Sequence, residues 1–422
     1  MDAATPSRVA GLDWASRLHA VCVLDSDGQV RARFDVPHTG TELRGLTRRL
    51  VRLGVPKVAI ERPDGPVVEA LLAAGLEVVV IPGRQVKALR GRYGTAGNKD
   101  DRFDAYVLAD ALRTDGHRLV PLVPDAPQTT ALRVVSRARK SLVATRVALA
   151  NELRANLEIA FPGAATLFSD VDSPIALAFL RRFPSVTQAA WLTEARLAEF
   201  LRRMGYPGRK AAAELLGRLA DAPAGLTGPE GEARAMVTLG LVAALNTVRA
   251  QIDELEGEIV ERLGTHADAA IFTALPRSGR VRAAALLAEI GDCRARFPDP
   301  ESLTCLAGAA PSTRRSGKHK KVVFRFACDK KLRAAVMDVA GDSRHDNPWA
   351  AHVYQQARAR GHGHAHAVRI LARAWLRVIW RCWQDHTPTI QPATAAISDS
   401  SPSRLDTGQL RWATATRATR SS

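Results

Sequence analysis

The sequence predicts an α/β plus α architecture: a mixed-sheet domain first, then long helices, then a mostly helical C-terminal part. Three observations carry this. Residues 1–120 alternate strand and helix signals, two stretches hold helical periodicity over thirty or more residues, and residues 275–383 read as successive helices with one basic, strand-like interruption.

Within the first part, Val9–Leu12 leads to Asp13, and LHAVCVLD (18–25) follows as a second strand. The turn DSDG (25–28) closes a hairpin into QVRARFDV. Leu43, Leu46, Leu50 and Leu53 recur at helical spacing, VPKVAIE (55–61) is a short apolar strand, PVVEALLAAG (66–75) is a helix stopped by Gly75, and LEVVVIP (76–82) is another strand. A hairpin followed by βα alternation implies a mixed sheet with helices packed on it. The first long helix covers 127–160, is rich in Arg and stops near Phe161-Pro162; the second runs from about Pro229 to Leu263. Shorter helices broken at Pro184 and Pro207 lie between them, so the two long helices suggest a hairpin around an insert. In the second, Val248, Ile252, Leu255, Ile259 and Arg262/Leu263 are spaced like a coiled-coil or bundle seam, which predicts homo-oligomers, dimers that pair into tetramers. LPRSGRVRAAALLAEIGDCRARF (275–297) looks like a helix–turn–helix pair, and 301–311, LRAAVMDVAGDS and 367–383 like further helices. The division expected is 8–125, 126–265 and 266–386, with 387–422, dominated by Thr, Ser, Ala and Pro, a disordered tail.

Composition bounds the function. The 422 residues hold 60 Lys and Arg against 43 Asp and Glu, a net charge of +17, with 46% apolar residues. That is enough apolar content for packed cores and excludes a disordered chain. No uncharged apolar run reaches the ~20 residues of a spanning helix, and no signal peptide is evident. Five cysteines (22, 293, 305, 328, 382), odd in number and without CxxC spacing, argue for reduced thiols and a cytoplasmic protein. The surplus charge calls for a polyanion, most commonly nucleic acid.

That charge is concentrated. Ser312–Arg333 holds nine Lys/Arg and one acid, nearly half the net charge in 22 residues. Apolar residues alternate with basic ones in VVFRFAC, so a folded basic strand is expected here, able to track a phosphate backbone. The candidate nucleic-acid contacts are Arg314, Arg315, Lys318, Lys320, Lys321 and Arg325, with two helical stripes: Arg84, Lys87 and Arg90, and Arg133, Arg137 and Lys140.

Acidic residues form the other constellation. Asp13 and Glu61 each end an apolar strand, where α/β sheets place their chemistry. NKDDRFDAYVLADAL (98–112) opens a helix with Asp100, Asp101 and Asp104, at i, i+3 and i, i+4 spacing. Converging carboxylates would suit one or two Mg²⁺ for phosphoryl transfer, whereas acids in a first turn also simply complement the helix dipole.

GLDWAS (11–16), AIER (59–62), IPGRQVKALR (81–90) and NKDDRFDAYVLADAL (98–112) resemble the DEDD domain of the insertion-sequence "one-ten" transposases, RuvC-like recombinases of RNase H fold. LPRSGRVRAAALLAEIGD, LAGAAPSTRRSGKHKK and LRAAVMDVAGDSRHDNPWAAHVYQQARARG are similar to that family's C-terminal domain, and the resemblance covers roughly residues 8–385. It implies a Mg²⁺-binding tetrad at Asp13, Glu61, Asp101 and Asp104, and a serine nucleophile at Ser316 in the dipeptide Ser316-Gly317. It also implies a covalent phosphoserine, a composite site assembled across subunits, and a structured bridge RNA that pairs with donor and target DNA in the bacterial nucleoid. The family's PGIG turn reads Pro276-Arg277-Ser278-Gly279 here, and Asp100 stands where a small polar residue is usual.

The residues around Ser316 suit such chemistry: Arg314, Arg315 and Lys318 can neutralise a phosphate, and Gly317 permits close backbone approach. A phosphoserine conserves the phosphodiester's free energy, in keeping with the lack of a GxxxxGK[ST] loop. Ser278 fits a phosphate-binding helix-hairpin turn, and Ser312 is a reserve nucleophile. Tyr354 reads as packing between helices, His362, His364 and His366 as exposed polar residues, and Trp375, Trp380 and Trp383 as core. Two alternatives remain from the sequence: a hydrolytic RuvC-like nuclease in which Ser316 is structural, and a non-catalytic nucleic-acid-binding protein.

Overall fold

A computed structural model describes residues 8–94, 100–317 and 319–388. The chain divides into two compact units, Met1–Pro124 and Asp125–Ser422.

The first unit is built on a five-stranded mixed sheet. Its elements are β1 (Val9–Asp13), β2 (Leu18–Leu24), β3 (Val30–Pro37), α1 (Gly40–Arg52), β4 (Lys57–Ile60), α2 (Pro66–Ala73), β5 (Glu77–Val80), α3 (Gly83–Arg90) and α4 (Asp101–Asp115). Strand order is β3-β2-β1-β4-β5. β1–β2 and β2–β3 pair antiparallel, and β1–β4 and β4–β5 parallel, as a hairpin followed by βα crossovers requires. Both faces are covered. Ala10, Leu12, Val21, Val23, Val58 and Ile60 point into one core with Leu43, Leu46 and Leu50 of α1 and Leu71 of α2. Val9, Cys22, Leu24, Ala59 and Val79 point into the other with Val86 of α3 and Leu108 and Leu112 of α4. Burial on both sides explains why these strands read as near-continuous apolar runs.

Glycine sets how closely α4 docks. A Cβ on Gly11 of β1 would lie 2.1 Å from the Ala105 carbonyl oxygen and 2.4 Å from the Ala109 nitrogen. The helix backbone therefore rests directly on the strand, a contact any side chain would prevent.

The second unit is helical apart from one hairpin. α5 (Pro127–Ala160) is followed by short helices α6 to α10 (Pro162–Ala165, Pro174–Arg182, Val186–Ala189, Glu194–Arg203, Ala212–Ala220) and by α11 (Gly228–Gly264). α12 (Ala269–Thr273), α13 (Gly279–Ile290) and α14 (Pro300–Leu306) precede the hairpin β6 (Ser312–Ser316) and β7 (His319–Val323). α15 (Lys330–Ser343), α16 (Pro348–Ala359) and α17 (His364–Gln384) complete the unit. α5 and α11 run antiparallel, tied by Arg139–Glu256 at 2.6 Å and by Asn156 Nδ2 donating to Thr238 Oγ1 at 2.9 Å. The short helices pack an aromatic core of Phe161, Phe168, Phe179, Phe183 and Phe200 against Leu153 and Leu157 of α5 and Leu241 and Leu245 of α11.

Two sequence expectations are refined here. Part of the stripe assigned to oligomer contact packs inside the chain: Ile259 and Leu263 are buried with Leu132 of α5. α11 also contains an 18-residue window apolar enough, by length and composition, to cross a membrane; a third of that window is buried inside the protein. The strand expected over VVFRFAC ends at Val323, leaving Phe324–Cys328 outside the hairpin. Of the tail, residues 389–422 lie outside the described residues.

Candidate active site

Strand alternation explains where the first two carboxylates point. Positions 9, 11 and 13 of β1 share one face with Ala59 of β4, the face covered by α3 and α4, and Glu61, just past the end of β4, is the next position in that alternation. Leu12 pairs with Ile60 in parallel register, so Asp13 and Glu61 are the next residues on adjacent strands, ~4.8 Å apart at the backbone. Asp13 is buried, and Glu61 is half-buried with its carboxylate against the start of α3: a Cβ on Gly83 would lie 2.1 Å from Glu61 Oε1. A glycine at the first residue of α3 thus leaves room for that carboxylate.

The helical acids divide into three roles. Asp100 is the N-cap of α4, its carboxylate accepting from the Arg102 amide at 3.1 Å. Asp101 begins the helix and is exposed. Asp104 is buried on the first turn, one residue before the Ala105 carbonyl that rests on Gly11, so the glycine contact carries it toward the Asp13 strand end. Its carboxylate is held by both arms of Arg90 from the end of α3, Nε donating to Oδ1 at 2.5 Å and Nη2 to Oδ2. Among the described residues, no three His, Cys, Asp or Glu side chains come together as a group that could hold a metal ion.

Beside the acids lies an aromatic and imidazole layer that the sequence did not signal. Arg62 stacks over Trp14 at 4.5 Å, and buried His19 bonds His38 at 2.8 Å. His19 Nδ1 accepts from the Ala15 amide at 3.3 Å, so its proton sits on Nε2 and is donated to His38 Nδ1. Burial, then the neighbouring His38, pulls the His19 pKa below its ordinary value.

Ser316 belongs to the second unit. It is exposed as the last residue of β6, paired with His319, and Gly317 after it takes φ 54°. Among the described residues its hydroxyl has no hydrogen-bond partner. The register sets Arg314 opposite Lys321 and Arg315 opposite Lys320. Like charges directly opposite one another destabilise a hairpin unless an anion screens them. Lys318, and the side chain of Lys320, lie outside the described residues.

The two helical stripes differ from this hairpin. Arg84 and Lys87 are exposed on α3, but Arg90 is engaged by Asp104. Arg133 bonds Asp125 and the Ala288 carbonyl, and Arg137 makes paired bonds of 2.8 and 2.7 Å to Glu289, so both tie α5 to α13; Lys140 is exposed. Ser278 is buried, its hydroxyl donating to the Phe272 carbonyl at 3.1 Å. Trp375 and Trp383 are core, and Tyr354 bonds His364 at 2.9 Å between α16 and α17.

Comparison with known proteins agrees across both units. Residues 10–162 match a family model described as a transposase, and residues 269–355 match one described as transposase of the IS116/IS110/IS902 family. A mini-circle protein of Streptomyces coelicolor, named as a transposase for IS117, is 32% identical over 386 residues, covering 89% of this chain and 93% of that protein. The 42 kDa protein of insertion element IS900 from Mycobacterium paratuberculosis is 29% identical over 404 residues, 92% of this chain and 98% of its own. The 43.6 kDa protein of insertion element IS110 from Streptomyces coelicolor is 27% identical over 387 residues, 89% and 94%. With strand-end carboxylates in one unit, a basic serine hairpin in the other, and both matched in this order, the chain belongs to the IS110 family of transposases, enzymes that cleave and rejoin DNA.

Proposed function

We propose that this transposase cleaves donor and target DNA through a covalent phosphoserine at Ser316, with a divalent cation held by the acidic residues of an RNase H-like domain and a structured RNA as guide. The observation that carries the serine reading is its setting: an exposed hydroxyl at the turn of a hairpin whose paired strands present basic residues to one another. In the reaction, Ser316 Oγ forms a bond to phosphorus while the bond from phosphorus to a deoxyribose oxygen breaks. The serine proton leaves and the departing oxygen gains one. Rejoining reverses this, a hydroxyl of another strand attacking phosphorus and restoring the serine, so no nucleotide hydrolysis is consumed. Arg314, Arg315 and Lys321 offset the charge that builds on the phosphoryl oxygens.

The donor set fits Mg²⁺ in kind, since all the acids offer hard oxygen ligands. Asp13 and Glu61 occupy neighbouring strand ends on one face, and Asp104 stands on the helix packed there. Asp104 would join them by exchanging Arg90 for the ion, with Asp101 at the exposed helix start as the fourth ligand. A bound Mg²⁺ would stabilise charge on the oxygens of the phosphoryl group. Strand order β3-β2-β1-β4-β5 supports the RNase H-like reading. The guide RNA rests on the family resemblance and on the excess of positive charge.

Trapping on DNA with a nick near the cleavage site tests the mechanism. Wild type should yield a protein–DNA adduct that survives denaturation, Ser316→Ala none, and Asp13→Asn none despite retained DNA binding. Cleavage without an adduct that persists in Ser316→Ala would make water the attacking group and the enzyme a hydrolytic nuclease. Unchanged activity in both variants would reduce these residues to binding roles. Sequencing RNA that copurifies with the protein tests the guide: segments complementary to element and target are expected, and only random host RNA would refute it.

A further inference from the structure

We propose that a cationic pocket at the root of the β6–β7 hairpin, lined by Arg325, Arg369 and Phe324 and backed by Arg333, binds one phosphodiester of the DNA strand and fixes the hairpin on its substrate. The proposal rests on the enzyme's action on DNA and does not require Ser316 to be the nucleophile.

The pocket is a cavity of about 420 Å³ walled by Ala310, Phe324, Arg325, His366, Arg369 and Arg373. Two guanidiniums share one aromatic ring: Arg333 Cζ lies 4.4 Å and Arg369 Cζ 4.8 Å from the centre of Phe324. Arg325 is fastened beside them, Nε donating to the Ala310 carbonyl at 3.2 Å and Nη2 to that of Pro311 at 3.3 Å. Arg333 Nη2 donates in turn to the Arg325 carbonyl at 2.5 Å. Gly308 makes the space, for at φ 66° a Cβ there would meet Arg333 Nη2 at 2.5 Å. The three side chains are thus placed by three separate elements, the strand exit, α15 and α17.

Most of the charge here is uncompensated. Elsewhere in this unit, partly buried arginines pair with acids: Arg133 with Asp125, Arg137 with Glu289, Arg139 with Glu256 and Arg294 with Asp268; in the pocket wall, Arg373 pairs with Glu301. Among the described residues no carboxylate pairs with Arg325, Arg333 or Arg369, and the buried Nε of Arg333 has no hydrogen-bond partner. Burial, and then repulsion from Arg333, pulls Arg369 below the usual arginine range. His366 at the rim is also drawn down, by burial and then by His362 and Arg369, so it adds little positive charge at neutral pH. Three half-buried guanidiniums without a counter-ion raise the energy of the free protein, and an anion with several acceptor oxygens removes that cost. A phosphate fits the forked donors of arginine, and the aromatic floor excludes water beneath it.

Position gives the pocket its use. Ser312 at the hairpin root and Ser316 at its turn are four residues apart, ~14 Å along an extended strand. A phosphate held at the root is therefore not the one beside Ser316 but one a few nucleotides away. These arginines are positioning residues, seating the hairpin at a fixed distance along the backbone.

The test uses the full chain carrying Ser316→Ala, so that no chemistry intervenes. Binding to a short DNA duplex and to a hairpin RNA is followed by fluorescence anisotropy over a salt series. Arg369→Gln should weaken DNA binding about tenfold and lower the slope of log affinity against log salt by about one. Arg369→Lys should recover part of the loss. Arg377→Gln, the same change of charge on the same helix but at a residue already paired with Glu301, should have a smaller effect. Because a repulsion is relieved, the thermal midpoint of Arg369→Gln should not fall. Unchanged DNA affinity and salt slope would overturn the proposal, as would an effect confined to RNA. So would equal losses in Arg377→Gln, which would show that only net charge matters, or a lower thermal midpoint with no change in slope.

Discussion

Arg90 grips both carboxylate oxygens of Asp104, the buried acid on the α4 face of the sheet, so one candidate metal ligand is neutralised by a cation from the end of α3. The arginine and a divalent ion compete for the same oxygens, which gives the pairing two consequences of opposite sign. In metal-free protein, Arg90→Ala leaves a buried carboxylate without its partner and should cost about 3 kcal/mol, seen as a lower thermal midpoint. With Mn²⁺ as probe, the same variant should bind the ion more tightly than wild type, because nothing has to be displaced. Equal Mn²⁺ affinity in the two proteins would remove Asp104 from the ligand set.

Gly11 makes a complementary prediction about distance. Gly11→Ala introduces a Cβ within 2.4 Å of two backbone atoms of α4, neither of which can rotate away. The helix must lift, and the cost should reach about 3 kcal/mol, at the upper end for overpacking. Because Asp104 rides on that helix, cleavage should be lost even where the variant still folds. Unfolding curves together with an adduct assay separate the two effects. A variant with wild-type stability and activity would show that α4 does not depend on this contact.

Periodicity made most of the fold legible. The DSDG turn, the leucines of α1 and the apolar strands predicted the elements of the first unit, and the strand-end positions of Asp13 and Glu61 follow from the same pattern. Their common face follows only once β1 and β4 are known to be parallel neighbours in register, a non-local fact. What sequence spacing could not supply was the partner of each charge. Arg84, Lys87 and Arg90 look equivalent as a stripe, yet Arg90 meets an acid fourteen residues away. Arg133 and Arg137 likewise meet Asp125 and Glu289, the latter 152 residues away. The reverse holds at the C-terminal pocket, where Arg333 and Arg369 lie outside or at the edge of the basic run and acquire meaning only by converging on Phe324.

A second buried acid predicts acid sensitivity. Asp125, before α5, bonds the amides of Asp292 and Cys293 at 3.1 and 3.3 Å, and pairs with Arg133 and Arg296. Burial pushes its carboxyl up, but the two arginines outweigh this and hold it at about 2. A carboxyl depressed in the folded state contributes stability above its unfolded value, near 3.9, and loses it as pH falls toward 2. Asp125→Asn keeps the shape and the amide acceptor but removes the charge, leaving two arginines facing a neutral group. It should cost about 3 kcal/mol at neutral pH, and its deficit relative to wild type should shrink below about pH 4. Denaturant titrations across that range measure both, and a deficit that does not vary with pH would assign the loss to packing.

The His19–His38 pair predicts a change at milder acidity. His19 is fully buried, accepts the Ala15 amide on Nδ1 and donates from Nε2, so a second proton would turn an acceptor into a donor facing an amide N–H. Its pKa is lowered by burial and then by His38, whereas in the unfolded chain it titrates near 6.5. The unfolded state therefore takes up a proton first. Stability from this group is complete above about pH 6.5 and falls as pH drops below it, by at most about 1.4 kcal/mol per pH unit. His19→Asn preserves an acceptor for Ala15 but cannot titrate, so its thermal midpoint should change less between about pH 7 and 5.5 than that of wild type. The first unit should show this most clearly, because the Ala15 amide follows the β1 end that carries Asp13. Parallel pH profiles for the two proteins would place the sensitivity elsewhere.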